Sequence, residues 1–478
     1  VKKAVLINPP APDGKKWVRE GRCQQWSIWG APFPPMTLAL LSTQLVREGV
    51  DTIIIDAGPE GKDLAVALKE CRSFQPDLAI LSVATPTVDS DLGWFAPKLK
   101  HALPGILIAA VGIHVSTLPR DTLAQYPCLD FALIGEPEHT ITDLIQCLAS
   151  GNNQPGDVPG IAFRDEQGHV HITRNRDFID DLDAIGFPDW KKIDFGNYRL
   201  PITDRPFALI SFSRGCPFHC TFCAASAYYG RVSRKRSVDS LIEEIKFNVS
   251  LGVTDFLFFT EVLTLDRRHL EQFLEALKAE GLERKIRWVC NSRTDTGDRS
   301  LFKKMREVGC RQIAFGFEFG ADEILQLARK GTKHTTARGR QAAQDAASAG
   351  LVVDGHFILG FPGETEENLQ ATIDYACSMP LTFALFYAAV PFPGSQLYEE
   401  ARCKGWVSGT EYREYNQDLA CIRNGSLDPD VVSRFIRKAY RSFYLRPAIA
   451  WRLFRIPQSM KEFLRLGREG VDFSKRLV

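Results

Sequence analysis

The chain has 478 residues, 45% of them hydrophobic and 24% charged, with a net charge of +1. That length allows two or three domains with full-sized cores. The composition excludes a disordered, collagen-like or low-complexity chain, and the near-zero charge supplies no global attraction for nucleic acid.

The charge is uneven: from Arg434 to Val478 stand 12 Lys/Arg against 3 Asp/Glu, so the rest of the chain carries −8. No run approaches the roughly 20 apolar residues of a membrane-spanning helix. Val1 to Pro10 reads as a first strand and not as a signal peptide. Both readings imply a cytoplasmic protein whose 12 cysteines are reduced.

In chain order, residues 1–150 alternate strand and helix. Short apolar runs stand at Ala4–Ile7, Thr52–Asp56, Leu78–Val83, Ile106–Val111 and Phe131–Ile134. Helical stretches at Thr37–Glu48 and Asp63–Cys71 separate the first of them. Continuous apolar strands alternating with helices predict a doubly wound, Rossmann-like α/β domain with a parallel sheet, whose ligands sit at the strand C-termini. Residues 151–206, rich in Gly, Asp, Asn and Pro, read as a linker carrying a hairpin at Gly160–Phe163 and His169–Ile172. A second series spans 207–400, with strands at Ala208–Ser213, Phe256–Thr260, Arg287–Asn291, Gln312–Phe317, Val352–Leu359 and Phe383–Val390. Six βα units predict a partial TIM-like (β/α)6 barrel with its active site at the strand C-termini. Residues 401–478 read as a helical, basic extension.

The chemistry stands after the first strand of the second series, in Cys216-Pro217-Phe218-His219-Cys220-Thr221-Phe222-Cys223, a C-x3-C-x2-C spacing. Three thiolates on one short loop suit three irons of a 4Fe–4S cubane and leave the fourth iron open to a small chelator. The alternatives are a zinc site drawing on His219, or three unrelated buried thiols. Zinc takes four ligands, and no second close Cys/His pair lies nearby.

This loop resembles that of the radical S-adenosylmethionine (SAM) superfamily over about Phe207 to Pro393, with Phe222 matching the aromatic usual between the second and third cysteines and, by that resemblance, a candidate SAM contact. The resemblance implies that SAM chelates the open iron and is cleaved to a 5′-deoxyadenosyl radical. It implies a one-electron donor such as flavodoxin or ferredoxin. Glu261 follows the second strand where this branch often carries two acids; Thr260 takes the first position. Arg293 is the candidate partner of the SAM carboxylate. Glu318, in Gly316-Phe317-Glu318-Phe319-Gly320, is the candidate for its ribose. Gly360-Phe361-Pro362-Gly363-Glu364-Thr365 matches a further turn of the branch, with Glu364 and Thr365 as the opening of a helix.

An α/β domain ahead of such a barrel resembles the cobalamin-dependent branch. The resemblance implies a cobalamin-binding face at the strand ends, carried by Asn8, Pro9, Thr85, Gly112, His114, Gly135 and Glu136. The D-x-H-x-x-G pattern of many cobalamin domains is missing, since Gly58 stands where its histidine would be. His114 is the histidine in a suitable loop, either a cobalt ligand or loop packing. Glu136 and Glu138 either cap a helix N-terminus or touch the cofactor tail. Phe443-Tyr444-Leu445-Arg446-Pro447 resembles a segment of lipid- and tetrapyrrole-modifying members. Trp451 to Leu466 mixes aromatic and basic residues, as in a peripheral membrane contact or in helices packed on the barrel.

The implied function is a radical SAM C-methyltransferase acting on an unactivated carbon of a small-molecule or lipid-like substrate. The alternatives are ring formation, ring contraction or oxidation with the same cofactors, and a non-catalytic iron–sulfur or zinc scaffold. A methylthiotransferase lacks support, because no second three-cysteine set stands near the N-terminus.

Overall fold

The computed structural model describes the chain apart from residues 15–16, 21–23, 26–31, 151–154, 201–203, 408–411, 418, 424 and 455–478. Its first sheet contains β1 (Lys3–Asn8), β2 (Asp51–Asp56), β3 (Leu78–Ser82), β4 (Leu107–Val111) and β5 (Phe131–Leu133), all parallel. The hairpin β6 (Ile161–Arg164) and β7 (Val170–Ile172) extends its edge antiparallel, so part of the connecting segment belongs to this sheet. The spatial order is β2-β1-β3-β4-β5-β6-β7. Chain direction therefore reverses its sideways progress between β1 and β3, which makes the C-terminal ends of those strands the switch-point crevice of the sheet. Continuous burial explains the apolar runs: Leu78 to Ser82 are buried throughout, as a strand covered by helices on both faces must be. The helix Met36–Arg47 lays Leu38, Leu41 and Leu45 on the sheet, all fully buried, at roughly 1.5–3 kcal/mol each.

The second sheet is β8 (Phe207–Ser211), β9 (Asp255–Phe259), β10 (Arg287–Ser292), β11 (Cys310–Glu318), β12 (Val352–Leu359) and β13 (Phe383–Ala388). They pair in sequence order and all in parallel. This is the expected six-stranded partial barrel, with all six strands formed at the expected places. Trp288, Phe256, Phe258 and Phe273 pack between strands and outer helices; the Phe258 and Trp288 ring centroids are 4.8 Å apart. The helix Pro429–Tyr444 closes the last strand, with Tyr440 Oη accepting from Phe386 N and Tyr444 Oη from Ala384 N, both at 3.1 Å. A further helix spans Pro447–Phe454. Most of the Trp451–Leu466 stretch lies outside the described residues. No helix among them is long and apolar enough to cross a membrane.

Candidate active site

The three-cysteine loop leaves the C-terminal end of β8 through a sharp turn. Gly215 has φ +93°, and a Cβ there would collide with the Val232 carbonyl oxygen, so the turn needs glycine. The loop is then fixed at several points. Cys216 N–H donates to Gly230 O (3.2 Å) and Thr221 N–H to Ala328 O (3.0 Å), while Leu397 N–H donates to Thr221 O (2.9 Å). Phe222 packs edge-on to Phe319 and Phe361, at 6.4 and 6.5 Å.

Cys216, Cys220 and Cys223 are free thiols of intermediate exposure. Burial pushes the Cys216 thiol up to about 11, and the neighbouring Cys223, Glu261 and Cys220 add to the shift. Burial also raises Cys220, against the pull of Lys330 and Arg293. Among the described residues no three His, Cys, Asp or Glu side chains close on a single ion. A cubane asks for less convergence, because each sulfur takes its own iron. A soft, all-thiolate donor set fits that group, and His219, the extra ligand a zinc site would draw on, is exposed.

The candidate SAM residues gather around the loop. Arg293 is buried, with its guanidinium carbon 3.6 Å from the Phe218 ring centroid. It donates Nη1 to Cys220 Sγ at 3.8 Å, Nε and Nη2 to the two oxygens of Asp295 at 2.9 Å each, and Nη2 also to Lys330 O at 2.6 Å. Glu318 ends β11 with φ +66°, an uncommon conformation for a non-glycine residue. Its carboxylate pairs with Lys330 Nζ at 2.5 Å. Glu261 is half-buried after β9, close enough to Cys216 and Tyr229 to raise both. Thr260 instead binds Ser213 Oγ at 2.6 Å, which ties the β9 end to the cysteine loop.

The residues expected to face cobalamin line the ends of β1, β3, β4 and β5. Asn8 and Pro9 are buried at the end of β1. Asn8 Nδ2 donates to Asp56 Oδ1 at 3.1 Å, while its own Oδ1 has no hydrogen-bond partner. Thr85 is buried in the turn after β3, and His114 Nδ1 lies 3.4 Å from its hydroxyl. Gly112 has φ +122°, and a Cβ there would collide with Val83 O. Gly135 has φ +74°, with open space where a Cβ would be. An unsatisfied buried acceptor and the open space beside Gly135 are the features of a cradle for an amide-bearing ligand. His114 meets Tyr412 edge-on at 4.7 Å, and burial pushes its ring down to about 3.

Residues 29–145 match the B12 binding domain family and residues 210–376 the Radical SAM superfamily. The uncharacterized methyltransferase of Pyrococcus horikoshii is 31% identical, over 94% of each chain. The chain belongs to the cobalamin-dependent radical SAM enzymes. It is also similar to the anaerobic magnesium-protoporphyrin IX monomethyl ester cyclase of Cereibacter sphaeroides, 29% identical over 87% of this chain and 68% of that one. Among solved structures, the radical SAM methyltransferase TsrM of Kitasatospora setae shares the fold. Its TM-score is 0.70 at 16% identity, over 94% of this chain and 89% of that one.

In this cobalamin-dependent radical SAM chain the two halves meet through buried ions. Arg214, two residues before Cys216, donates to Glu136 Oε1 at 3.1 Å and Glu138 Oε1 at 2.5 Å. Arg234 donates to Glu136 Oε2 at 2.7 Å, and Ile179 N–H to the same oxygen at 2.8 Å. Expected as a cap or a tail contact, Glu136 is the N-cap residue of Pro137–Ala149, but its side chain makes no cap bond. Both its oxygens are spent on the seam with the barrel. Glu364 and Thr365 open a helix as expected. Thr365 is the N-cap, and Glu364 turns back to accept from Phe361 N–H at 2.7 Å. Lys330, Asp295 and Arg214 carry no sequence signal as site residues, because nothing local in the sequence marks a charge that will be buried by a distant strand.

Proposed function

We propose that this chain is a cobalamin-dependent radical SAM C-methyltransferase. The observation that carries the reading is the seam: Arg214–Glu136 and Arg214–Glu138 join the root of the three-cysteine loop to the loop after β5 and the first turn of the helix Pro137–Ala149. One joint thus holds the cysteine loop against the strand ends of the first sheet. When bound, the cluster supplies an electron to SAM for homolytic cleavage and the corrinoid supplies a methyl group.

In this reading Cys216, Cys220 and Cys223 hold the cluster, and Phe222 keeps their loop on the barrel. Arg293, clamped by Asp295 with Nη1 at Cys220 Sγ, would receive the SAM carboxylate. Glu261 accepts from its amino group, and Glu318 accepts from its ribose. Asn8 Oδ1, Pro9, Thr85, Gly112 and Gly135 would line the corrin side, where a primary amide would supply the N–H donor that Asn8 Oδ1 lacks. His114 keeps its ring neutral and packed against Thr85 and Tyr412, which assigns it to holding the loop.

The test is anaerobic reconstitution with iron, sulfide and hydroxocobalamin, then reduction in the presence of SAM. The expected results are 5′-deoxyadenosine, corrinoid absorbance retained through gel filtration, and loss of SAM cleavage in the Cys216→Ala, Cys220→Ala, Cys223→Ala triple variant. Zinc alone in the purified protein, or cleavage that survives the triple variant, would overturn the reading. Similarity to the Cereibacter sphaeroides cyclase supports ring closure as the second reading. Product mass separates the two: one added methylene for methylation, hydrogen loss for closure.

The reductant we assign is a flavodoxin- or ferredoxin-like donor, tested by exchanging it for dithionite. Peripheral membrane contact is supported by exposed Arg434, Arg437 and Lys438 on one helix, followed by exposed Leu445 and Trp451. Flotation with anionic but not neutral vesicles tests it.

A further inference from the structure

Alternate residues of a strand face opposite sides of its sheet, and the aromatic contacts say which side is which. On β12, Phe357 stacks on Phe317 at 5.5 Å and on Phe386 at 5.3 Å, and meets Tyr375 of the outer helix Glu366–Ser378. Phe386 of β13 in turn meets Tyr440 of the helix Pro429–Tyr444 at 5.3 Å. These residues face the outer layer. Asp354 and His356 of β12 and Tyr387 of β13 therefore face the barrel interior. Ala314 and Gly316 of β11 are registered opposite Asp354 and His356 and share that face. Asn291, on the middle strand β10, is exposed, so the interior is open to solvent.

Asp354 and His356 leave each other underused. His356 Nε2 is 3.6 Å from Asp354 Oδ2, and His356 Nδ1 is 3.4 Å from Tyr387 Oη. Gln312 Nε2 reaches Asp354 Oδ2 at 3.4 Å. All three separations are at or beyond the long end of hydrogen bonding. Asp354 is only 6% exposed, yet its Oδ1 has no hydrogen-bond partner among the described residues. A buried carboxylate oxygen without a donor is costly, so native proteins normally fill the need from a neighbour, water or ligand. The neighbourhood joins the site already described. Above Gly316, where a Cβ would be, lie the carboxylate of Glu318 and, at 3.1 Å, Lys330 Nζ.

We propose that Asp354, His356 and Tyr387 form a substrate subsite inside the barrel for a molecule carrying an N–H or O–H donor, an amine or an alcohol. Asp354 Oδ1 takes the donor, His356 and Tyr387 hold its other side, and the carboxylate repels anionic groups. A bare hydrocarbon leaves Asp354 Oδ1 without a donor. The inference deepens the methyltransferase reading by naming the polarity of its substrate, and it rests on that reading for the chemistry it serves.

The test uses the reconstituted holoenzyme with SAM, and saturation-transfer NMR observing three probes: n-butylammonium, n-butanol and butyrate. Saturable binding of the ammonium and the alcohol is expected, with none of butyrate. Asp354→Leu should weaken the ammonium at least about tenfold, the scale of one hydrogen bond to a charged group. His356→Gln should weaken the alcohol. Should Asp354→Leu fail to fold, Asp354→Asn keeps an acceptor and should erase the preference for ammonium over alcohol. Equal binding of butyrate, or unchanged affinities in folded variants, would overturn the subsite. Failure of the radical SAM reading shows up separately, as absence of 5′-deoxyadenosine from the wild-type enzyme.

Discussion

Replacing Arg214 by Met isolates the seam between the two sheets. The Arg214 side chain is 6% exposed and those of Glu136 and Glu138 are 2% exposed. Glu136 would keep Arg234 and the Ile179 N–H. Among the described residues Glu138 would keep nothing: Oε1 bonds only to Arg214, and Oε2 already has no partner. One buried carboxylate is left uncompensated, which costs about 3–5 kcal/mol. The double variant Arg214→Met, Glu138→Leu removes both charges and fills the same space, so it should lie within about 1 kcal/mol of wild type or above it. The assay is urea unfolding of all three proteins, read on the first transition because a chain of this size need not unfold in one step. A single variant that loses less than about 1 kcal/mol, or a double variant as unstable as the single, would refute the claim that uncompensated charge sets the cost.

The remaining predictions concern titration and glycine geometry. His114 is held neutral by burial, so the unfolded chain binds its proton more readily. Stability of the corrinoid-free protein should fall as pH drops below 6.5 toward about 3, by roughly 2 kcal/mol at pH 5, and His114→Phe should flatten that slope in acid melts. Glu364 has the opposite sign. Burial pushes it up to about 8, so the folded state holds its proton longer and stability is lost as pH rises from 4.5 through 8. Glu364→Gln keeps an acceptor for Phe361 N–H and should melt higher than wild type at pH 9, with the gap closing at low pH. Gly112→Ala must displace the Val83 carbonyl and adopt an unfavourable φ; it should lose corrinoid on gel filtration while iron content stays near wild type. Gly215→Ala meets Val232 O in the same way and should lose iron first.

Much of this architecture is legible in sequence because it is local. Each parallel strand advertises itself as a continuous apolar run, and the C-x3-C-x2-C loop brings its three thiolates together by chain connectivity alone. What escapes is anything created when one element meets another. Glu136 reads equally well as a cap or a cofactor contact until Arg214, 78 residues away, is seen to claim it. Lys330 looks like an ordinary helix-end cation, yet it is buried against Glu318 and lies over the Phe222 ring at 5.6 Å. Tyr387 and Phe386 are adjacent aromatics that sequence cannot tell apart; strand alternation sends Phe386 to the outer layer and Tyr387 to the interior beside His356.

The buried seam also explains why these residues are charged at all. An apolar contact between the two sheets would hold them together about as well, since an ion pair taken out of water gains little net stability. What an apolar contact lacks is direction. Two hydrophobic faces slide with small loss, whereas the Arg214 fork satisfies Glu136 and Glu138 in one relative placement only. Radical chemistry shared between two cofactors depends on that placement, because a reactive carbon has to stand within reach of both. Arg214 lies two residues before Cys216, and Glu136 directly follows Gly135. The same few bonds that fix the domains therefore fix the cysteine loop against the proposed corrin-facing loop. Stability lost to desolvation at this joint is offset by the large apolar cores of the two sheets on either side.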